Sequence, residues 1–198
     1  MKIILVGASG TIGQHLFTEL APRHEVIRAS RNGDVTVDIT SRASIEAMFT
    51  QVGPFDALVS ATGGGHFGPL DTMTEEDFYK GIRSKLMGQV NLVMVGKDYI
   101  NDNGSFTLVS GILADDPIRN GVNLSVVNGA LNAFAVSAAV ELKRGLRLNV
   151  VCPGLVEDSE EELGSAFPGH IPVSMKRVVY GYLKSVEGVL TGEVIRIY

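Results

Sequence analysis

The sequence predicts a doubly wound α/β fold, with a mostly parallel seven-stranded sheet and helices on both faces. Three observations predict it. Short β-branched runs alternate with stretches of helical periodicity along the whole chain. A glycine-rich turn follows the first apolar run directly and opens the first helical stretch. The 198 residues, 45% hydrophobic and 20% charged, suffice for one domain with a substantial core, so residues 1–198 are read as a single domain.

The elements follow in order. Lys2–Val6 reads as a strand and Thr11–Ala21 as a helix. Glu25–Ala29 and the shorter Val35–Val37 read as strands, and Ser41–Val52 as a helix that Ser41 can cap. Asp56–Ala61 is the next strand. A long helix is expected over Glu75–Ile100, preceded by Thr74 and followed by a turn at Asn101–Gly104. Ser105–Ser110 is then a strand, Val122–Lys143 a helix closed by Gly145, and Leu146–Val151 a strand. Met175–Ser185 closes the helices and Glu193–Ile197 the sheet.

Composition excludes several classes. A net charge of −5 argues against a general nucleic-acid binder, which needs a basic footprint. The single cysteine, Cys152, leaves no internal disulfide, makes a cysteine zinc site improbable and suits a reducing, cytoplasmic setting. The apolar run before Gly7 is too short for a signal peptide. Asn120–Val140 carries no charge and nearly reaches membrane-spanning length. Its amides and hydroxyls (Asn120, Asn123, Ser125, Asn128, Asn132, Ser137) favour burial in protein, so no membrane is expected. The acidic run Glu157–Glu162 reads as a solvated helix start rather than a metal site, because adjacent residues on a helix do not converge on one ion.

The strongest motif is Gly7-Ala8-Ser9-Gly10-Thr11-Ile12-Gly13. Glycine permits a tight turn at the strand end and close backbone approach to a pyrophosphate, whose charge then faces the free N–H groups of a helix start. The predicted cradle is Gly7, Ser9, Gly10, Thr11, Ile12 and Gly13. In an NAD-binding protein an acidic residue at the end of the second strand takes the ribose 2′-hydroxyl. Here the segment is Arg28-Ala29-Ser30-Arg31-Asn32, and Ser30 with Arg31 suits a 2′-phosphate instead, which predicts NADP(H).

The spacing is Gly-x-x-Gly-x-x-Gly, and other segments follow in a telling order. They are Asp38-Ile39-Thr40, Ala61-Thr62-Gly63, Asn149-Val150-Val151-Cys152-Pro153-Gly154 and Thr191-Gly192-Glu193. On these segments the chain resembles the short-chain dehydrogenase/reductases, a Rossmann-fold family, over nearly its whole length. It resembles in particular a small subgroup in which the standard active site is missing. The resemblance implies further cofactor contacts at Asp38, Ile39, Ala61, Thr62, Gly63, Asn128, Pro153, Gly154 and Val156.

The same resemblance implies an altered Asn-Ser-Tyr-Lys tetrad. Leu124 falls at the Tyr position, Asn128 at the Lys position, Gly111 at the Ser position with Ser110 beside it, and Lys85 at the Asn position. Asn and Lys are thus exchanged. Asn128 would keep the ribose hydrogen bonds while Lys85 returns the charge; alternatively Lys85 lies in solvent or at a subunit interface. Lys85, Ser110 and Asn128 are the catalytic candidates. His66, after Gly63-Gly64-Gly65, is a weaker proton donor, since a lone loop histidine is more often merely solvated. Cys152 reads as packed rather than reactive. Tyr180 and Lys184 form a Tyr-x-x-x-Lys away from the family's catalytic position and read as surface and packing. The short segment between Cys152 and Glu193 predicts a small lid or an open pocket.

Two functions remain open. The first is an NADP(H)-dependent oxidoreductase acting on an unidentified small carbonyl or alcohol. The second is a non-catalytic NADP(H)-binding redox sensor or scaffold. The resemblance also implies a homodimer or homotetramer.

Overall fold

The computed structural model describes residues 1–198. Seven strands form one parallel sheet: β1 (Lys2–Val6), β2 (Glu25–Ser30), β3 (Val35–Thr36), β4 (Phe55–Ser60), β5 (Ile100–Val109), β6 (Arg147–Pro153) and β7 (Val194–Ile197). Their spatial order is β3-β2-β1-β4-β5-β6-β7. The order reverses beside β1, so the chain passes to opposite sides there and leaves a crevice at the carboxyl edge.

Alternation along each strand feeds two cores. Ile4, Val6, Leu58, Phe106 and Leu108 face a cluster of 22 buried residues, covered by α2 (Arg42–Val52), α4 (Gly88–Gly96) and α5 (Val122–Ala139). Ile3, Leu5, Ala57, Val59 and Val151 face a cluster of 17, covered by α1 (Thr11–Leu20) and α7 (Met175–Val186). The short α6 (Glu160–Leu163) follows a single turn at Glu157–Ser159, so the acidic run does begin a helix. Ser41 caps α2 by accepting the Ser44 N–H. Thr74 and Asp77 form a reciprocal capping box at α3 (Glu75–Gly81).

Three expected boundaries are corrected. The long helix ends at Gly96, not Ile100, and is interrupted by a π turn over Ile82–Met87 between α3 and α4. A Cβ at Gly96 would lie 2.8 Å from Phe49, and Tyr99 stacks on Phe49 at 5.5 Å. That aromatic packing, which local periodicity does not reveal, turns the chain into β5. The turn expected at Asn101–Gly104 lies inside β5 as a bulge: pairing with β4 jumps from Phe55–Ile100 to Ala57–Ser105, and Asn103 has φ 62°. Finally, α5 stops at Ala139 rather than Lys143. Arg144 and Gly145 both take positive φ, and the Arg144 guanidinium reaches back to the Ile100 carbonyl at 3.0 Å and Asp102 at 2.8 Å.

By length and composition, α5 is the one helix that meets the measure of a membrane span. Here it packs on β6 and buries Asn123, Val127, Asn128, Leu131 and Ala135 within the fold.

Candidate functional site

The glycine turn is built by close backbone packing. Gly7 has φ 87°, and a Cβ there would lie 2.6 Å from the Ala61 carbonyl oxygen. A Cβ at Gly13 would lie 2.1 Å from the Gly7 carbonyl oxygen, so α1 can sit this close to the strand end only without a side chain. At Gly10 the nearest atom would be 3.5 Å away, which is ordinary contact. The reason for glycine there lies on the open side. Gly10 is the cap residue of α1 with no side-chain cap, and the first helical bond is Gln14 N–H to the Gly10 carbonyl. The Thr11 and Ile12 N–H groups therefore keep their donors free, the arrangement that holds an anion at a helix start.

A cleft of about 610 Å³ opens above this turn. Of the residues predicted to hold a cofactor, it is lined by Gly7, Ser9, Gly10, Ser30, Arg31, Asp38, Ile39, Ala61, Thr62 and Gly63. Asn32, Thr40, Gly64 and Ser84, which were not among the predicted cofactor contacts, line it too.

At its β2 end the charges are arranged asymmetrically. Asp34, the only carboxylate between β2 and β3, is held by Arg28 through a two-point ion pair at 2.7 and 3.0 Å. Asp34 does not line the cleft, whereas Arg31 lines it and makes no ion pair. Asp38 is fixed by the Thr40 backbone and hydroxyl, which hold its carboxyl below the usual range, with Arg31 adding a smaller charge effect.

The remaining predicted residues lie beyond this cleft. Lys85 is buried in the π turn, not in solvent. A Cβ on Gly63 would lie 2.9 Å from Lys85 Cα, so the positive φ of Gly63 lets the two segments touch. Gln89, one turn later, donates to the Lys85 and Val109 carbonyls and accepts the Val109 N–H at 2.8 Å, which locks the π turn to the end of β5. Desolvation pushes the Lys85 amine down to about 8, and the nearby Cys152 thiol opposes that shift.

Asn128 faces the turn after β5: its Nδ2 would lie 3.1 Å from a Cβ on Gly111. Asn128 Oδ1 and Ser110 Oγ are buried without a hydrogen bond of good geometry. Burial pushes the Cys152 thiol up, with the adjacent Ser110 hydroxyl a smaller opposing influence. Leu124 packs over Gly65, where a Cβ would lie 2.7 Å from its side chain. Thus Lys85 and Leu124 pack on the glycine loop after β4, at Gly63 and Gly65, while Asn128 meets Gly111 next to Ser110 at the end of β5.

Asn123 was not foreseen as part of the site. Fully buried, it accepts the His66 N–H at 2.8 Å and donates to the Phe78 carbonyl at 2.9 Å, tying the glycine loop after β4 to α3. An amide inside an otherwise apolar helical run was its one available signal. His66 itself points to Asp77 at 3.5 Å.

A second cavity of about 810 Å³ lies at the carboxyl ends of β5–β7, lined among others by Phe67, Ile112, Arg119, Gly154, His170 and Tyr198. Gly154 faces this cavity rather than the first cleft. Pro153 is buried in β6, and Val156 is buried in the core and bridged to Val173. Tyr180 lies exposed on α7, away from both cavities, with Lys184 on the same helix.

A parallel sheet with this strand order and a glycine cradle at the carboxyl edge of β1 defines a doubly wound dinucleotide-type fold. The sequence model of the family described as enoyl-(acyl carrier protein) reductase matches residues 2–186, and the chain belongs to the short-chain dehydrogenase/reductase family. An uncharacterized oxidoreductase of Methylorubrum extorquens is 30% identical over 124 residues, 62% of this chain and 50% of that protein. The matched region therefore spans about half of that relative's length. A hydroxynaphthalene reductase-like protein of Metarhizium brunneum is 26% identical over 79% of this chain and 68% of its own. Among solved structures, a protein of Listeria innocua is 49% identical with a TM-score of 0.98, each chain covered fully. A small-chain dehydrogenase in complex with NADPH is 25% identical with a TM-score of 0.88, over 100% of this chain and 96% of that one.

Proposed function

We propose that this protein is an NADP(H)-dependent oxidoreductase that acts on a small carbonyl or alcohol through a non-standard active site. The observation that carries the cofactor choice is the Arg31 side chain, unpaired at the cleft while Arg28 withdraws Asp34. Ser30 and Arg31 hold a 2′-phosphate, and the Thr11 and Ile12 N–H groups hold the pyrophosphate on the glycine cradle. Asp38 and Ile39 border the adenine, and Ala61, Thr62 and Gly63 follow the dinucleotide along the sheet edge. Asn128, with its unpartnered Oδ1, takes the nicotinamide ribose. The ends of β6, at Pro153, Gly154 and Val156, border the nicotinamide. The cofactor supplies or accepts hydride; the protein binds, orients and handles the proton.

The second cavity serves as the substrate chamber, since ligands in such sheets bind outside the carboxyl ends of the strands. Lys85, Ser110 and Asn128, all buried, are the catalytic group of this reading. Exposed Met94, Val126 and Val136 on α4 and α5 support a homodimer or homotetramer across those helices. The single, buried, unbridged Cys152 suits a cytoplasmic setting.

The test uses NADPH deuterated at either face of the reactive nicotinamide carbon, with a panel of aldehydes, ketones, quinones and enones. Deuterium in a product above the protein-free control is the expected result. Cofactor binding without any transfer supports the non-catalytic sensor or scaffold, a reading that the apolar Leu124 at the tyrosine position favours.

A further inference from the structure

We propose that Lys85 is the acid of this site: its ammonium protonates the carbonyl oxygen of the substrate, and its amine accepts the proton in the reverse direction. This rests on the oxidoreductase reading above, and it names the proton donor that reading leaves open.

The placement is the first argument. Lys85 touches Gly63, and its neighbour Ser84 lines the cofactor cleft. Through Gln89 its backbone is locked to Val109 of β5, two residues before Gly111 and three before Ile112, which lines the second cavity. It therefore stands between the Gly63 turn of the cofactor cleft and the end of β5. A π turn, a distortion frequent at functional sites, holds it there.

The second argument is its isolation. Lys85 is 8% exposed and forms no ion pair, while its side chain makes no hydrogen bond. A buried amine without a counter-charge costs stability that an apolar residue of similar length avoids. Nothing in the fold uses that charge.

The third argument is elimination. Tyr182 is fully buried and donates to the Ser60 carbonyl on the α7 side of the sheet. The Tyr198 hydroxyl is bound to Asp115, and burial pushes it up to about 12. The Cys152 thiol is fully buried and also pushed up. His66 faces Asp77. Ser110 polarises but does not titrate in the useful range. Burial brings the Lys85 amine to about 8, near the working range of a general acid.

The charges around Lys85 are few. Cys152 faces it from β6. Neither α4 nor α5 contains an ionisable residue. On α3, Glu76 pairs with Arg83, and Asp77 with Lys80 and the Thr74 cap. The step balances: the carbonyl carbon gains a hydride from the reduced cofactor, which leaves oxidised, as the C=O π pair takes the Lys85 proton. The neutral amine then regains a proton from water.

The test has two readouts. In protein carrying ¹³C at lysine Cε, one of the seven lysines is expected to titrate near pH 8 without any cofactor, and its signal is expected to be absent from Lys85→Arg. In single-turnover deuterium transfer, wild type is expected to slow above pH 8. Lys85→Met is expected to lose roughly 10²–10³-fold and that pH limb, with NADPH affinity held within about threefold. A Lys85 signal with an ordinary lysine midpoint overturns the proposal. So does transfer undiminished in Lys85→Met, or a substrate adduct trapped on Lys85 by borohydride, which makes it a nucleophile instead. Absence of transfer in wild type removes the oxidoreductase reading itself; persistence in Lys85→Met removes only the Lys85 assignment.

Discussion

The carboxyl edge of the sheet has two halves that treat buried polarity in opposite ways. Around β1, β2 and β4 the backbone itself makes the site, with Gly7 N–H on the Ala29 carbonyl at 2.9 Å and Ala61 N–H on the Val6 carbonyl at 2.8 Å. Around β5 and β6 the side chains make it, and they are incomplete: Ser110 Oγ and Asn128 Oδ1 have no partner and Lys85 has no counter-ion. Deeper in the same half one polar network is complete. Thr107 and Asn149 both bond the Ser185 hydroxyl, at 2.7 and 3.0 Å, and Asn149 also takes the Glu193 N–H. Unpaired buried atoms also occur at His24 Nδ1, Ser60 Oγ, Ser125 Oγ and Asn132 Oδ1; the β5–β6 edge differs in joining two such atoms to an uncompensated lysine. The gaps at the edge mark where a ligand is to be met.

The largest effect expected from this contrast is at Gly13. Gly13→Val drives a side chain into the Gly7 carbonyl, and both stability, by about 3 kcal/mol, and NADPH affinity, by roughly 100-fold or more, are expected to fall. Gly10→Ala has room in the free protein and is expected to melt like wild type yet bind NADPH at least about tenfold more weakly. Urea titration and fluorescence titration of NADPH check both. Equal stability loss at the two positions breaks the claim that Gly13 serves packing and Gly10 the ligand.

On the other half, removing the orphan charge is expected to stabilise. The folded Lys85 amine, lowered from 10.5 to about 8, binds its proton less well than the unfolded one. Folding stability therefore rises with pH between those values, and below pH 8 the full cost is present. Lys85→Met is expected to gain up to about 3 kcal/mol at pH 7, with the gain vanishing toward pH 10.5. Denaturant midpoints at the two pH values measure it. A variant less stable than wild type at pH 7 shows that the charge is structurally used.

Arg31→Ala comes next, with NADPH binding weakened roughly 10–30-fold and NADH binding by less than about threefold. Equal weakening removes the 2′-phosphate assignment and leaves Arg31 as a general attraction for anions.

The two halves were also unequally legible. Much of the cradle is local physics: Gly13 is glycine because of the Gly7 carbonyl six residues back, and the Ser41 and Thr74 caps follow from short-range hydrogen bonds, while Gly7, pressed on Ala61, was legible through the glycine spacing alone. The π turn at Lys85 and the helix end at Gly96 are tertiary. They depend on the fit of Gly63 against Lys85, and of Phe49 and Phe106 against Gly96, residues 22 to 47 positions distant in one case and 10 in another. Helical periodicity runs straight through both. Resemblance placed Lys85 and Asn128 in the right neighbourhood, yet only the fold shows Lys85 buried and uncompensated. The Asn123 clamp on the loop after β4 joins residues 57 apart, and its one trace along the chain is an amide in an apolar helical run.

The smallest expected effect tests whether the halves are independent. Tyr182 lies on the opposite face of the sheet and donates to the Ser60 carbonyl at 3.0 Å, at the end of β4 and immediately before the Ala61 turn. Tyr182→Phe keeps the ring in its core and loses one buried hydrogen bond, so a cost of about 1 kcal/mol is expected in urea unfolding. If β4 is held by its sheet neighbours, with Ala57–Val59 paired to Ser105–Thr107 on one side and to β1 on the other, NADPH affinity stays within about twofold. A tenfold loss of affinity would mean instead that α7 sets the position of the Ala61-Thr62-Gly63 turn. The contact of Gly63 with Lys85 would then carry a change in the packing of α7 across the sheet to the buried amine.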